Sequence, residues 1–210
     1  MADTGAITRG LVWEIDETAG FDTAWATLDG RRLRAEGRTA GLRPEPYWLT
    51  YELETGDEFV TARLTIDARW ATGSAELVLE RLAHGWMANG VPRPDLAAAL
   101  DCDLGACPLT NTMPVLRHDL LVRPGDHELL MAFVEVPGLR VVPSHQRYTH
   151  LSRERGGGAR VRYRSGSFAS DLTFDADGFV VDYPQLGRRV IVRAPAAGIR
   201  AEGPGSVRPG

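Results

Sequence analysis

Between Tyr47 and Glu54 the chain alternates with a period of two. Tyr47, Leu49, Tyr51 and Leu53 are apolar, with Trp48, Thr50, Glu52 and Glu54 between them, as in a strand that buries one face. Thr55-Gly56-Asp57 supplies a turn, and Ala62, Leu64 and Ile66 then alternate with Arg63, Thr65 and Asp67, so the two runs read as an antiparallel hairpin. Asp29-Gly30 separates a similar pair, Ala24 to Leu28 and Leu33 to Thr39. Near the other end, Val161 and Tyr163 sit between Arg160, Arg162 and Arg164. Phe168 to Phe174, the turn Asp175-Ala176-Asp177-Gly178, and Phe179, Val181 and Tyr183 follow, completing a three-strand meander. Ala75 to Leu82 and Glu128 to Val136 carry strand-like apolar content, the first also open to a helical reading through Leu77, Val78 and Arg81. Pro94 to Leu100 is the one segment that reads as helix, because Pro94-Asp95 opens a short Ala-rich turn. One residue sits against the pattern. Trp48 falls on the face opposite Tyr47, Leu49 and Tyr51, so it is either exposed or covered by something else.

Leu100 to Arg117 fits neither period and reads as a long, structured connection, a place where sites are often built. Gly156-Gly157-Gly158 marks a loop tip. The pattern predicts a mainly β, single-domain fold: a curled, many-stranded β-roll or open β-barrel with few short helices. Residues 10–193 form the domain, 1–9 a lead-in, and 194–210, rich in Pro, Gly and Ala, a flexible tail.

The composition narrows the function classes. Acidic residues outnumber basic ones, 28 to 24, and every strong cation is an arginine; no basic excess supports nucleic-acid binding. The first ten residues have no apolar core and no window approaches the length of a membrane span, so a cytoplasmic location without a transmembrane segment is expected. In that compartment Cys102 and Cys107 read as free thiols. No Walker loop, no dinucleotide fingerprint after a strand and no nucleophile elbow is present. His145 and His150, five apart, lack a second ligand pair. No cofactor and no metal is expected.

The run Asp101-Cys102-Asp103-Leu104 followed by Cys107-Pro108-Leu109-Thr110-Asn111-Thr112-Met113-Pro114-Val115 resembles the signature of the putative glycolipid-binding family. Further matching pieces follow in order: Val136-Pro137-Gly138-Leu139 with Val141 and Pro143, Gln146-Arg147-Tyr148, Asp177-Gly178-Phe179-Val180, Asp182-Tyr183-Pro184 and Arg189-Val190. With looser matches at Trp13, Gly37, Tyr47 and Trp70, the resemblance spans residues 10 to 192. It implies a curled β-roll and a lipid or glycolipid ligand. The sequence departs from the family pattern at Leu82-Ala83-His84-Gly85-Trp86, where an Asp-Gly-x-Gly-x-Trp run is usual.

A glycolipid needs an apolar cavity for its chains and a rim of donors, acceptors and flat rings for its sugar. A rolled sheet offers both, since alternate residues point inward and loops crown one end. Asp101 and Asp103, at i and i+2, would share a face if extended. They and Asn111 can exchange hydrogen bonds with sugar hydroxyls, or can serve the loop's own backbone. Arg117 and Tyr148, with His118 and Arg147 beside them, are the remaining polar candidates; an arginine would hold a phosphate bidentately, or simply form a salt bridge. The ligand-binding residues expected are therefore Asp101, Asp103, Asn111, Arg117 and Tyr148. Two other classes stay open. One is a hydrolase using Asp101 and Asp103 as acid and base, or Cys107 with a histidine, although neither arrangement reaches motif strength. The other is a protein-interaction module, with homodimerisation through unpaired sheet edges.

Overall fold

A computed structural model describes residues 5–191. Strands β1 (Ile7–Ile15), β2 (Gly20–Asp29), β3 (Arg32–Gly41), β4 (Tyr47–Thr55), β5 (Thr61–Trp70), β6 (Gly73–Leu82), β7 (Gly85–Ala88) and β8 (Val91–Arg93) follow one another as an antiparallel meander. After β9 (Asp101–Leu104), a 3-10 turn (Pro108–Asn111) and the short helix α1 (Thr112–Arg117), the chain resumes the meander. It runs through β10 (Asp126–Val134), β11 (Val141–Arg153), β12 (Ala159–Ser165), β13 (Phe168–Phe174), β14 (Val180–Tyr183) and β15 (Gly187–Arg189). The two meanders join where β15 pairs with β1 through Trp13↔Arg189, Glu14↔Arg188 and Ile15↔Gly187. All the strands thus belong to one curled, unclosed sheet, with β8 and β9 at its two edges. Every pairing is antiparallel except that of β9 with β10.

The alternation read from the sequence is the burial observed. In β4, Tyr47, Leu49, Tyr51 and Leu53 are buried while Trp48, Glu52 and Glu54 are exposed, and the Asp29-Gly30 turn joins β2 to β3 with Gly30 in the left-handed region at φ 56°. The inward side chains of the first meander close over an apolar cluster that includes Trp13, Leu49, Leu64 and Leu79. Into it the segment from Cys102 to Met113 inserts Leu104, Leu109 and Met113. A second cluster, with Val115, Tyr148, Val161, Leu172 and Phe174, fills the other half of the roll. Gly37 shows why a bare backbone is needed mid-strand: a Cβ there would lie 2.3 Å from the Tyr51 ring. The missing side chain lets Tyr51, directly opposite, lie across β3 and reach β2.

Several expectations need correcting. Pro94 to Leu100 is not a helix beyond the 3-10 turn Pro94–Leu96. The Ala99 carbonyl turns out to accept the Trp86 indole N–H at 2.9 Å and the Arg81 Nε–H at 3.1 Å, and Thr61 N–H donates to the Leu100 carbonyl at 3.0 Å; these contacts draw the chain out of a helical path. Leu100 to Arg117 is the structured connection expected, but it contains a strand, a 3-10 turn and a short helix. Residues Asp101–Leu104 form β9, whose period is invisible because all four are buried. Ala75 to Leu82 is a strand, as its apolar content indicated, and the helical alternative falls away. β1 begins at Ile7, inside the stretch expected as a lead-in. In the pairing of β13 with β14 the register slips between Thr173 and Phe174, and Val180 takes the inward place expected of Val181. The tail expected at 194–210 lies outside the described residues.

Candidate functional site

Parallel pairing beside β10 turns Asp101 and Asp103 to one side of β9 while Cys102 and Leu104 enter the apolar cluster of the first meander. Both carboxylates are buried, and an unpaired carboxylate in such a place is costly. Each has found partners. Arg117, at the end of α1, grips Asp101 with both terminal nitrogens; its side chain is only 8% exposed, so this is an interior ion pair and not a surface one. Asp103 accepts from Thr110 Oγ1 at 2.8 Å and from Gln146 Nε2 at 2.6 Å. The Tyr148 hydroxyl donates to Asn111 Oδ1 at 2.9 Å and lies 3.1 Å from Gln146 Oε1. Asn111 Nδ2 donates to the Pro108 carbonyl at 3.3 Å. Burial raises the pKa of Asp101 against the pull of Arg117, and that of Asp103 against its two hydrogen bonds. Burial, then the Asp103 charge, drives the Tyr148 hydroxyl well up.

The network stands between two hollows. One, of about 770 Å³, has Asp103 and Asn111 in its lining, aromatic walls from Phe133, Tyr163, Phe168 and Tyr183, and a rim that includes Glu17, Thr18, Arg43 and Gln185. Tyr163 meets Phe168 and Tyr183 edge-on with centroids 6.0 and 5.9 Å apart, an arrangement aromatic rings favour. The other hollow, of about 560 Å³, is lined by Asp101, Arg117, Gln146, Arg147 and Arg164 among others. Of the five residues picked from the sequence, Asp103 and Asn111 face the aromatic cavity and Asp101 and Arg117 the second cleft. Tyr148, 1% exposed, lies in the core and couples to Asn111. Gln146 links Asp103, Tyr148 and Asn111 in one hydrogen-bonded network, and the Asp101–Arg117 ion pair stands beside it. Thr110, Gln146 and the aromatic walls are not among the ligand-binding residues expected from the sequence. The alternation of Ser144, Gln146 and Tyr148 on one face of β11 was the available signal, polar where the pattern search looks for apolar.

Behind the cavity wall lies a third buried carboxylate, Asp22. Cys107, part of that wall, has its sulfur 3.5 Å from the Tyr51 hydroxyl, which is 3.5 Å from Asp22 Oδ2; Thr39 Oγ1 donates to Asp22 Oδ1 at 2.7 Å. With no cation against it, burial pushes Asp22 up from 3.8 to about 7. Both cysteines are free and buried. Burial and Asp22 raise the Cys107 thiol well above its ordinary range, and burial takes Cys102 to about 12, the opposite of what activates a nucleophilic thiol. The acid and base reading of Asp101 and Asp103 meets a geometric obstacle as well, since Arg117 occupies both Asp101 oxygens. Trp86, where the sequence departs from the family pattern, is buried and bonded to Ala99, away from the aromatic cavity. Among the described residues no helix is long and apolar enough to cross a membrane, and no three His, Cys, Asp or Glu side chains are grouped to hold a metal ion.

Comparison with known proteins gives two findings. The family model described as Putative glycolipid-binding matches residues 10–189. The crystal structure at 1.80 Å of a DUF1089 family protein from Pseudomonas aeruginosa is similar in fold, with a TM-score of 0.66 and 27% sequence identity over 80% of this chain and 92% of that one. No curated protein matches.

Proposed function

We propose that this chain, which belongs to the Putative glycolipid-binding family, binds an amphipathic ligand of the glycolipid class in the aromatic cavity between β9, β10 and the strands β12 to β14. The observation that carries this reading is a buried carboxylate, Asp103, in the lining of a cavity of about 770 Å³ whose walls are aromatic. Asp103 keeps acceptor capacity beyond Thr110 and Gln146, since an ionised carboxylate has about four lone-pair sites. A sugar hydroxyl entering the cavity supplies the donor, and Asn111 offers a second polar contact beside it. Tyr163, Phe168 and Tyr183 present faces and edges to the apolar side of a sugar or to methylene groups, each buried methylene contributing about 0.8 kcal/mol. Arg43 and Glu17 meet the remainder of the head group at the rim. Asp101 and Arg117 hold β9 to α1 and so fix the position of Asp103. Two free, buried thiols support a reducing, cytoplasmic setting.

Native mass spectrometry of the gently purified protein, followed by organic extraction, tests the reading directly. A stoichiometric amphipathic adduct is expected. Asp103→Asn, which keeps the side chain's shape, should weaken binding of octyl glucoside at monomeric concentrations by about tenfold, the loss of one charged hydrogen bond, with cooperative unfolding retained. A wild-type protein that emerges without an adduct and takes up neither alkyl glucosides nor phospholipids would refute it.

A further inference from the structure

The Trp48 that stood against the alternation of β4 lies on the outer face of the sheet and is 47% exposed. Its cross-strand neighbours form a row on the outer face of the sheet: Phe21 opposite Ala40, Ala40 opposite Trp48, and Trp48 opposite Arg69. Phe21 is 52% exposed, and Leu42, just beyond β3, is 64% exposed. Together with Pro46 and Trp70 these residues frame an apolar hollow of about 410 Å³. Large apolar side chains grouped on one face of a soluble domain mark a binding surface far more often than single ones do.

Two further features say what covers it. Two guanidinium groups stand at its margin without a carboxylate partner among the described residues: Arg69 lies over the Trp48 ring at 5.6 Å, and Arg43 donates only to the Asp16 backbone carbonyl, at 2.7 Å. Of the nearby carboxylates, Glu45 accepts from the Thr72 hydroxyl at 3.3 Å and Glu17 lies in the lining of the aromatic cavity. Aromatic and leucine side chains ringed by arginines match the boundary of a bilayer, where rings and methyl groups enter the acyl region and guanidinium groups meet phosphates. The patch is also continuous with the cavity mouth. The β1–β2 turn supplies Glu17 and Thr18 to the cavity and Ala19 and Gly20 to the hollow, and the β3–β4 loop supplies Arg43 and Pro44 to one and Leu42 and Pro46 to the other.

From this placement we infer that the face built by Phe21, Leu42, Trp48 and Arg69 docks the protein on a phospholipid bilayer, holding the aromatic cavity at the membrane surface so that an amphiphile passes between the two. The docking step stands on the patch itself; the transfer step rests on the ligand reading given above.

The test is co-sedimentation with vesicles of phosphatidylcholine and phosphatidylglycerol, run on wild type, Leu42→Asp and Phe21→Ser, with octyl glucoside binding measured separately on each. Both side chains are exposed, so unchanged melting temperatures are expected. Wild type should partition onto vesicles, and each variant should lose at least tenfold in partitioning while binding octyl glucoside as wild type does. Variants that partition as well as wild type overturn the docking face, as does a wild type that stays in the supernatant. An exposed patch that instead pairs two copies, seen as a dimer in sedimentation velocity that Leu42→Asp dissociates without any vesicle binding, also overturns it. Vesicle binding without octyl glucoside binding sustains the docking face and removes the ligand reading; the reverse result does the opposite.

Discussion

Asp22→Asn is the perturbation whose size the structure fixes best. Asp22 is fully buried, opposite Trp13 in the β1–β2 ladder, and it meets Thr39, Tyr51 and Cys107 with no cation nearby. Its carboxyl is pushed from 3.8 to about 7 by burial. A folded-state pKa above the unfolded one means that the folded chain holds its proton while the unfolded chain releases it, so stability falls as pH rises from about 4 and the loss is complete above about 7. At about 1.4 kcal/mol per pH unit, the full difference is about 4 kcal/mol. Asparagine keeps an acceptor for Thr39, offers a donor toward Tyr51, and has no proton to lose. Urea unfolding of both proteins at intervals from pH 5 to pH 8 should therefore show the advantage of Asp22→Asn growing by about 3 kcal/mol across that range. Taking the difference cancels the other buried acids, Asp101 and Asp103, which titrate in both. A difference that stays flat with pH would refute the assignment, and a variant less stable at every pH would mean that the Thr39 and Tyr51 contacts need the carboxylate itself.

Two other substitutions probe the frame around the cavity. Arg117→Met strands the buried Asp101 and should cost about 3–5 kcal/mol in urea unfolding, most of it recovered in Asp101→Leu/Arg117→Met, because a buried charge without its partner is worse than none. Thr61→Val leaves the Cys102 N–H, which donates to Thr61 Oγ1 at 3.0 Å, without an acceptor; a loss of about 1–3 kcal/mol and faster exchange of that amide are expected.

Where one face of a strand meets the core and the other meets water, the chain displays its architecture openly, as in β4, β5 and the C-terminal meander. β9 is the counterexample. Asp101 and Asp103 point into the interior no less than Cys102 and Leu104 do, so the polar-out rule reverses and the strand reads as a loop. The same inversion conceals Gln146. Picking Asp101, Asp103, Asn111, Arg117 and Tyr148 together depended on the resemblance to a known family, and their division into a buried ion pair and a hydrogen-bonded network beside it is a fact of packing that residue spacing does not encode. Nor could spacing separate the two hollows, because Asp101 and Asp103, two positions apart, open onto different ones. Trp48 was legible for the opposite reason: a large ring on the polar face of a clean alternation has no place in the core.

A barrel closed by a full ladder has a fixed girth, set by its strand number and stagger. This roll resembles a split bracelet with a clasp. Its strands stay joined to their neighbours throughout, but the edge at β9 is fastened by discrete contacts: Thr61 to Leu100 and Cys102, and Trp86 and Arg81 to the Ala99 carbonyl. At about 1 kcal/mol for each net hydrogen bond these contacts are the smaller part of the fastening; the larger part is the burial of Cys102, Leu104, Leu109 and Met113 in the cluster of the first meander, at about 1.5–3 kcal/mol for each large side chain. The girth of the molecule, and with it the room for a guest, is thus set by apolar side chains pressed into a gap and a few hydrogen bonds beside them, and not by a continuous ladder.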